Sequence, residues 1–305
     1  MSHRRKRGGT TYTRDRCAPR RGKTRKFTCY SDEGLQKLKG DWNAQHPTAP
    51  IASTEAEALW NDLRARHPEC DRESCWADPA LKKETFAPAM PKSWKSNINE
   101  WLSSDEIINV MKQYERVFPE FAFLGPSPTD YFFKTGGRCV WEDLCKFQLV
   151  DYVKKKKTHI GVVFNLDPHD KPGSHWVALL INTEKRSIYF FDSTGDRIHR
   201  HINRFRKAVQ AQAWRDLRQR YTFSQNHPVE HQFGDTECGM YVLFFLVTML
   251  QHDRVGADGA ALGPALKKAL KGGARDVFES VFKNPKNKFP DKLMENLRNN
   301  YFNQE

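Results

Sequence analysis

Three runs of β-forming residues, Ile160-Gly-Val-Val-Phe164, Trp176-Val-Ala-Leu-Leu-Ile181 and Ser187-Ile-Tyr-Phe-Phe191, follow one another with only short polar breaks of Pro, Gly, Asp and Asn between them. A strand that is apolar on both faces must be covered on both faces. The runs therefore predict the centre of a sheet sandwiched by helices. Gly239 to Leu250 is apolar on all sides and predicts a buried helix. Ile198, Ile202, Phe205 and Val209 repeat at helical spacing, Tyr221 to Ser224 suits a further strand, and helices are expected over Asp276–Phe282 and Asp291–Phe302. The class is α+β, with a central mixed sheet and no internal repeat.

The N-terminal third reads differently. After Ser31, Leu35, Leu38 and Trp42 mark a helix, and Thr54 with Glu57 suggests a capping box ahead of Ala56, Leu59, Trp60 and Leu63. Asp78 to Lys95, with Pro79, Pro88 and Pro91, reads as a linker. Ser104 then opens a helix through Ile107, Ile108 and Met111. The expected organisation is a basic flexible tail over 1–30, a helical arm over 31–95 and a main domain over 96–305.

A composition of 38% hydrophobic and 29% charged residues excludes collagenous and fully disordered chains. The formal charge is +13, yet residues 1–30 alone hold eleven Lys or Arg against one Asp. Basicity is thus expected as a property of the tail, which could neutralise phosphates on nucleic acid or serve as a nuclear address. The longest apolar stretch, Met240 to Leu250, is well short of the ~20 residues that cross a bilayer. No apolar stretch follows Arg4-Arg5-Lys6-Arg7, so no secretory signal is expected. Seven scattered cysteines, an odd number, suggest reduced thiols and an intracellular location. Cys17, Cys29, Cys70 and Cys75 could in principle bind zinc, but their spacing does not favour it, and no metal is expected. Cys139 and Cys145 are expected to fill core.

Thiol-based hydrolysis needs a thiolate, a base, a group to orient the base and donors for an oxyanion. Cys238 stands at the start of the apolar helix, where free backbone N–H groups and the helix dipole favour a thiolate. His175 opens one strand and Asp192 closes the next; antiparallel pairing brings the open ends of such a hairpin together. Gln232, six residues before Cys238, could donate to an oxyanion. Each residue has an ordinary reading by itself: a core cysteine, a surface histidine, a turn aspartate, a polar loop glutamine. The ordered set is what points to chemistry.

Gly173-Ser-His175-Trp176-Val-Ala-Leu, Tyr-Phe-Phe-Asp192-Ser, and Gln232 with five residues before Cys238-Gly239-Met-Tyr-Val resemble the SUMO-protease (ubiquitin-like-protein protease) superfamily that includes adenain. Trp101-Leu-Ser-Ser-Asp-Glu-Ile-Ile108 resembles the segment that leads into the domain in these proteases, and the helical arm is similar to that of large-DNA-virus members that process polyproteins. The resemblance implies a rearranged papain-like fold with the cysteine at the N-terminus of a buried helix. It also implies a cysteine endopeptidase acting after Gly-Gly with His175, Asp192, Gln232 and Cys238 as catalytic residues and no cofactor. Trp176 and Trp101 would flank a narrow substrate channel. The usual Gln-x-Asn-Gly-x-Asp-Cys is here Gln232-Phe-Gly-Asp-Thr-Glu237-Cys238, a departure that bears on SUMO specificity. The implied substrates are a viral polyprotein or, alternatively, a conjugate of a ubiquitin-like modifier, with a virion, host-cytoplasm or nuclear location. A scaffold without catalysis that binds nucleic acid through residues 1–30 is the non-enzyme alternative.

Overall fold

The computed structural model describes residues 12–21, 25–252 and 277–304. Most of the basic run at residues 1–11 and the start of the helix expected at Asp276 lie outside the described residues. The chain divides into two units, residues 91–298, and residues 1–90 with 299–305.

The first unit is helical. Helices α1 (Asp32–Gln45) and α2 (Ala56–Arg66) pack through Leu35, Leu38, Leu59, Trp60 and Leu63. Ser31 caps α1 by accepting from Gly34 N–H. The capping box expected at Thr54 and Glu57 does not form; α2 begins after Glu55 with no side-chain cap. The stretch expected as a linker instead contains α3 (Pro79–Thr85), capped by Asp78 and opened by Pro79 at its first turn, where a missing N–H costs nothing. Residues 15–18 and 27–30, expected within a flexible tail, are also packed. Glu73 is buried and accepts from the Thr28 hydroxyl, the Cys29 N–H and the Trp60 indole, while Tyr30 stacks on Trp76. A buried carboxylate needs such partners, and two of the three, Thr28 and Cys29, come from the segment that its charge pattern marked as solvated.

Disulfides join Cys17 to Cys29, Cys70 to Cys75 and Cys139 to Cys145, leaving Cys238 as the free cysteine. The expectation of reduced thiols, of zinc as a possibility and of Cys139 and Cys145 as core does not match these pairings. An odd count of seven is what three pairs and one free thiol give.

The second unit carries the sheet. Its spine is β5 (His159–Asn165), β6 (Trp176–Asn182) and β7 (Ser187–Phe191), antiparallel to one another. They are extended by β1 (Phe121–Phe123) and β2 (Ser127–Pro128), both parallel to β5, and by β8 (Thr222–Gln225), parallel to β7. A small hairpin, β3 (Lys134–Thr135) and β4 (Arg138–Cys139), stands apart. Strand alternation sends Val177, Leu179, Ile181, Ile188 and Phe190 into one core layer with Ile202, Phe205 and Val209 of α7 (Arg200–Leu217). On the other side lies α8 (Cys238–His252), whose Phe245 stacks on Phe191 and whose Leu246 approaches Gly161 so closely that a Cβ there would sit 3.2 Å from it. Helix α4 (Ser104–Val117) carries the capping box that α2 lacks, formed by Ser103 and Glu106. Short helices α5 (Glu142–Cys145) and α6 (Leu149–Lys154) precede β5, and α9 (Asp291–Tyr301) ends the chain's helices.

Candidate active site

The β6–β7 ladder ends at Ala178 paired with Phe191. One further step sets Asp192 against Val177, with His175 two residues beyond, a diagonal that long side chains can close. They do: His175 Nε2 lies 2.7 Å from Asp192 Oδ1. Asp192 is buried, and the same Oδ1 accepts from the Thr194 N–H at 3.0 Å and the Thr194 hydroxyl at 2.7 Å. Its backbone is fixed from the other side by Asn226, whose Oδ1 accepts the Asp192 N–H at 2.9 Å and whose Nδ2 donates to the Asp192 carbonyl at 2.6 Å. Burial would raise the Asp192 pKa, but His175 and Thr194 together hold the carboxylate below its ordinary value.

Cys238 is the first residue of α8 and is fully buried. With Nε2 committed to Asp192, the His175 nitrogen left to face another group is Nδ1, and Cys238 lies near enough to act on the ring electrostatically. Burial disfavours the imidazolium, yet hydrogen bonds and charge from Asp192 and Cys238 outweigh it and push the His175 pKa up to about 10.

Gln232 is buried with its amide oriented at both ends. Its Oε1 accepts from the Ser193 hydroxyl at 2.7 Å, and its Nε2 donates to the Gly234 carbonyl at 2.8 Å, which leaves the second N–H to point elsewhere. Its backbone N–H also meets the Ser193 carbonyl at 2.9 Å. The four expected catalytic residues thus stand just before β6, just after β7, in the loop before α8 and at the start of α8 itself, and the hairpin, Ser193 and the helix start draw them together.

Trp176 is buried, and its indole N–H donates to the Leu102 carbonyl at 2.8 Å. Leu102 in turn lies against the helix start: a Cβ on Gly239 would meet Leu102 Cβ at 2.7 Å. Leu102 therefore sits beside the start of α8, and its neighbour Trp101 is 44% exposed. Sequence reading missed Ser193, Thr194 and Asn226. The first two were hidden in what reads as an ordinary Asp-Ser-Thr-Gly turn, and Asn226 carries no local signal at all. Glu237, noted as a departure, is buried and gripped by Arg298 through Nε at 3.1 Å and Nη2 at 2.9 Å; Arg298 also lies over Trp94, 4.5 Å from its ring centre.

A cysteine at a helix N-terminus, a histidine oriented by an aspartate and a fixed amide one loop away form the kind of arrangement that thiol-based hydrolysis uses. Residues 148–255 match the Ulp1 protease family, C-terminal catalytic domain. A provisionally named thiol protease of Acanthamoeba polyphaga mimivirus is 30% identical over 162 residues, 51% of this chain and 49% of that protein. A cysteine protease of African swine fever virus (isolate Tick/Malawi/Lil 20-1/1983) is 30% identical over 102 residues, 33% of this chain and 37% of that protein. The matches thus span about half or less of these curated relatives' length. The crystal structure of the African swine fever virus protease shares the fold, with a TM-score of 0.59 at 19% identity, covering 95% of this chain and 96% of that one.

Proposed function

We propose that this chain is a cysteine endopeptidase that hydrolyses the peptide bond following a Gly-Gly pair in a viral structural polyprotein. The observation that carries the reading is the 2.7 Å bond from His175 to Asp192, with Cys238 at the N-terminus of α8 near enough to act on the same imidazole. In this reading the Cys238 sulfur attacks the glycyl carbonyl carbon, and the proton originally on the thiol passes through His175 to the leaving amine nitrogen as the C–N bond breaks. Asp192 holds the ring orientation. The tetrahedral oxyanion accepts from the free N–H of the Gln232 amide and from the Cys238 backbone N–H. Water, deprotonated by His175, then attacks the thioester and releases the acid and the thiol. The packing of Trp176 and Leu102 over Gly239 supports a channel too narrow for side chains larger than glycine's next to the scissile bond.

The relatives are viral proteins, which supports a polyprotein substrate and action in the virion or host cytoplasm. An African swine fever virus relative bearing the name SUMO-1 cysteine protease favours a second reading, removal of a ubiquitin-like modifier, for which a nuclear location is the natural alternative. The basic residues of segment 1–30 further suggest a tether to nucleic acid, which predicts affinity that falls with salt and with deletion of that segment. The decisive test is to incubate wild type and Cys238→Ala with a peptide containing Gly-Gly-x and, separately, a SUMO conjugate. Cleavage of the peptide alone, absent in the variant, is expected; cleavage of the conjugate alone supports the second reading, and cleavage of neither with an unreactive Cys238 thiol rejects both.

A further inference from the structure

We infer that Asp291, at the N-terminus of α9 and 53 positions beyond the nucleophile in sequence, is a positioning residue for the oxyanion site. This rests on the cysteine-peptidase reading above. Asp291 Oδ2 accepts the backbone N–H groups of Phe233 at 3.1 Å and Gly234 at 2.8 Å, the two residues that follow Gln232. The Gly234 carbonyl is the acceptor that ties down the Gln232 amide nitrogen at 2.8 Å. Asp291 thus fixes the peptide that fixes the amide. Its other oxygen, Oδ1, lies 3.0 Å from the hydroxyl of Tyr241, in the first turn of α8 and three residues after Cys238. The Tyr241 hydroxyl also reaches the carbonyls of His231 and Phe289, and its pKa is raised by burial and by the Asp291 charge.

One carboxylate therefore connects the loop carrying Gln232 with the helix carrying Cys238. A water-exposed loop containing Gly234 has little of its own to hold that geometry, since Phe233 is 69% exposed and contributes only a cation contact with Lys288, 5.5 Å from its ring centre. Charge-assisted bonds from two consecutive N–H groups are stronger than neutral ones and orient the peptide planes. With both amides turned inward to Asp291, the Phe233 ring is turned outward.

Removing it should loosen the oxyanion donor while leaving the His175–Cys238 pair as it is. The test uses the full chain as wild type, Asp291→Ala and Asp291→Asn with three readouts. These are steady-state cleavage of a Gly-Gly-x peptide, inhibition by an aldehyde of that peptide, and alkylation of Cys238 by iodoacetamide. The aldehyde forms a tetrahedral adduct whose oxygen needs the oxyanion donors; alkylation does not. Asp291→Ala is expected to lower kcat by about 10- to 100-fold, a share of what deleting an oxyanion donor costs. KM should stay within about twofold, aldehyde affinity should fall in parallel with kcat, and the alkylation rate should hardly move. Asp291→Asn, which keeps one acceptor oxygen, should lie between. Amide hydrogen exchange at Phe233 and Gly234 should accelerate in the alanine variant without change in the strands. A kcat close to wild type, equal losses in alkylation and aldehyde binding, or unchanged protection at those two amides would overturn the inference. If wild type itself cleaves nothing, the peptidase reading falls, and exchange at Phe233 and Gly234 still decides whether Asp291 holds the loop.

Discussion

The imidazole of His175 and the carboxylate of Asp192 meet at 2.7 Å on the open end of one β-hairpin, with the carboxylate buried and the ring only 16% exposed. Both groups are shifted in the direction that preserves the charged pair, His175 up to about 10 and Asp192 below its ordinary value. The signs determine the pH window. A raised histidine contributes stability that is complete below its unfolded value of about 6.5 and lost as pH rises towards about 10. A depressed carboxylate contributes stability present above its unfolded value of about 3.9 and lost as pH falls through its folded one. The melting-temperature difference between wild type and Asp192→Asn should therefore be greatest from about pH 4 to 6.5 and shrink towards pH 10. In the same variant kcat should fall by roughly 10³-fold or more, because the ring loses the partner that fixes its tautomer. A constant melting difference across that range would show that the pair is not ionised.

Alkylation mass spectrometry should find one modified cysteine when the protein is unfolded without reductant and seven when it is unfolded with it, because Cys238 is the cysteine outside a disulfide. The pairs close loops with sequence separations of 12, 5 and 6, and the first should contribute most through loss of unfolded-state freedom. Seven modifications without reductant would return the chain to the reduced state that its cysteine spacing suggests.

How much of this was legible depends on whether a signal was local. The β5, β6 and β7 strands and α8 announce themselves because both faces of each are buried, so apolar runs survive without interruption in Ile160–Phe164, Trp176–Ile181 and Met240–Leu250. His175, Asp192, Gln232 and Cys238 could be picked out because they flank those runs. What stayed hidden is tertiary. Glu73 draws Thr28 and Cys29 into a core although their neighbours are basic, Asn226 grips Asp192 across 34 residues, and Asp291 looks like an ordinary helix-start residue. The short β1, β2, β3 and β4 strands have two or three residues each, too few to show periodicity.

Gly239 tests the proposed channel. A methyl group there would stand 2.7 Å from Leu102 Cβ, an atom that cannot swing aside without moving its backbone. Gly239→Ala should cost about 1–3 kcal/mol of stability, as overpacking does. It should also raise KM for a Gly-Gly-x peptide, because the Leu102 carbonyl that anchors the Trp176 indole is displaced. Adding Leu102→Gly, which removes that Cβ, should recover part of the stability in a double-mutant cycle; additive losses would mean the two residues do not press on each other.

Glu237 and Arg298 form a buried pair directly ahead of the nucleophile, with side chains 2% and 0% exposed. Burial raises the Glu237 pKa despite the guanidinium, so the ionised carboxylate depends on Arg298 for what water no longer supplies. Arg298→Met, which keeps the stem's volume over Trp94, should leave a buried charge without its partner and destabilise the fold by about 3–5 kcal/mol. Glu237→Gln in that background removes the charge itself and should recover much of the loss, since the energetic penalty lies in the orphaned ion and not in the missing pair. Denaturant unfolding of the two single variants and the double variant measures this directly. Recovery would also show why glutamate suffices at the position before Cys238, because the longer side chain is held by a neighbour of matching reach. If the double variant is no more stable than Arg298→Met, the loss comes from the guanidinium's contact with the Trp94 ring, which methionine does not reproduce, and the ion pair is incidental.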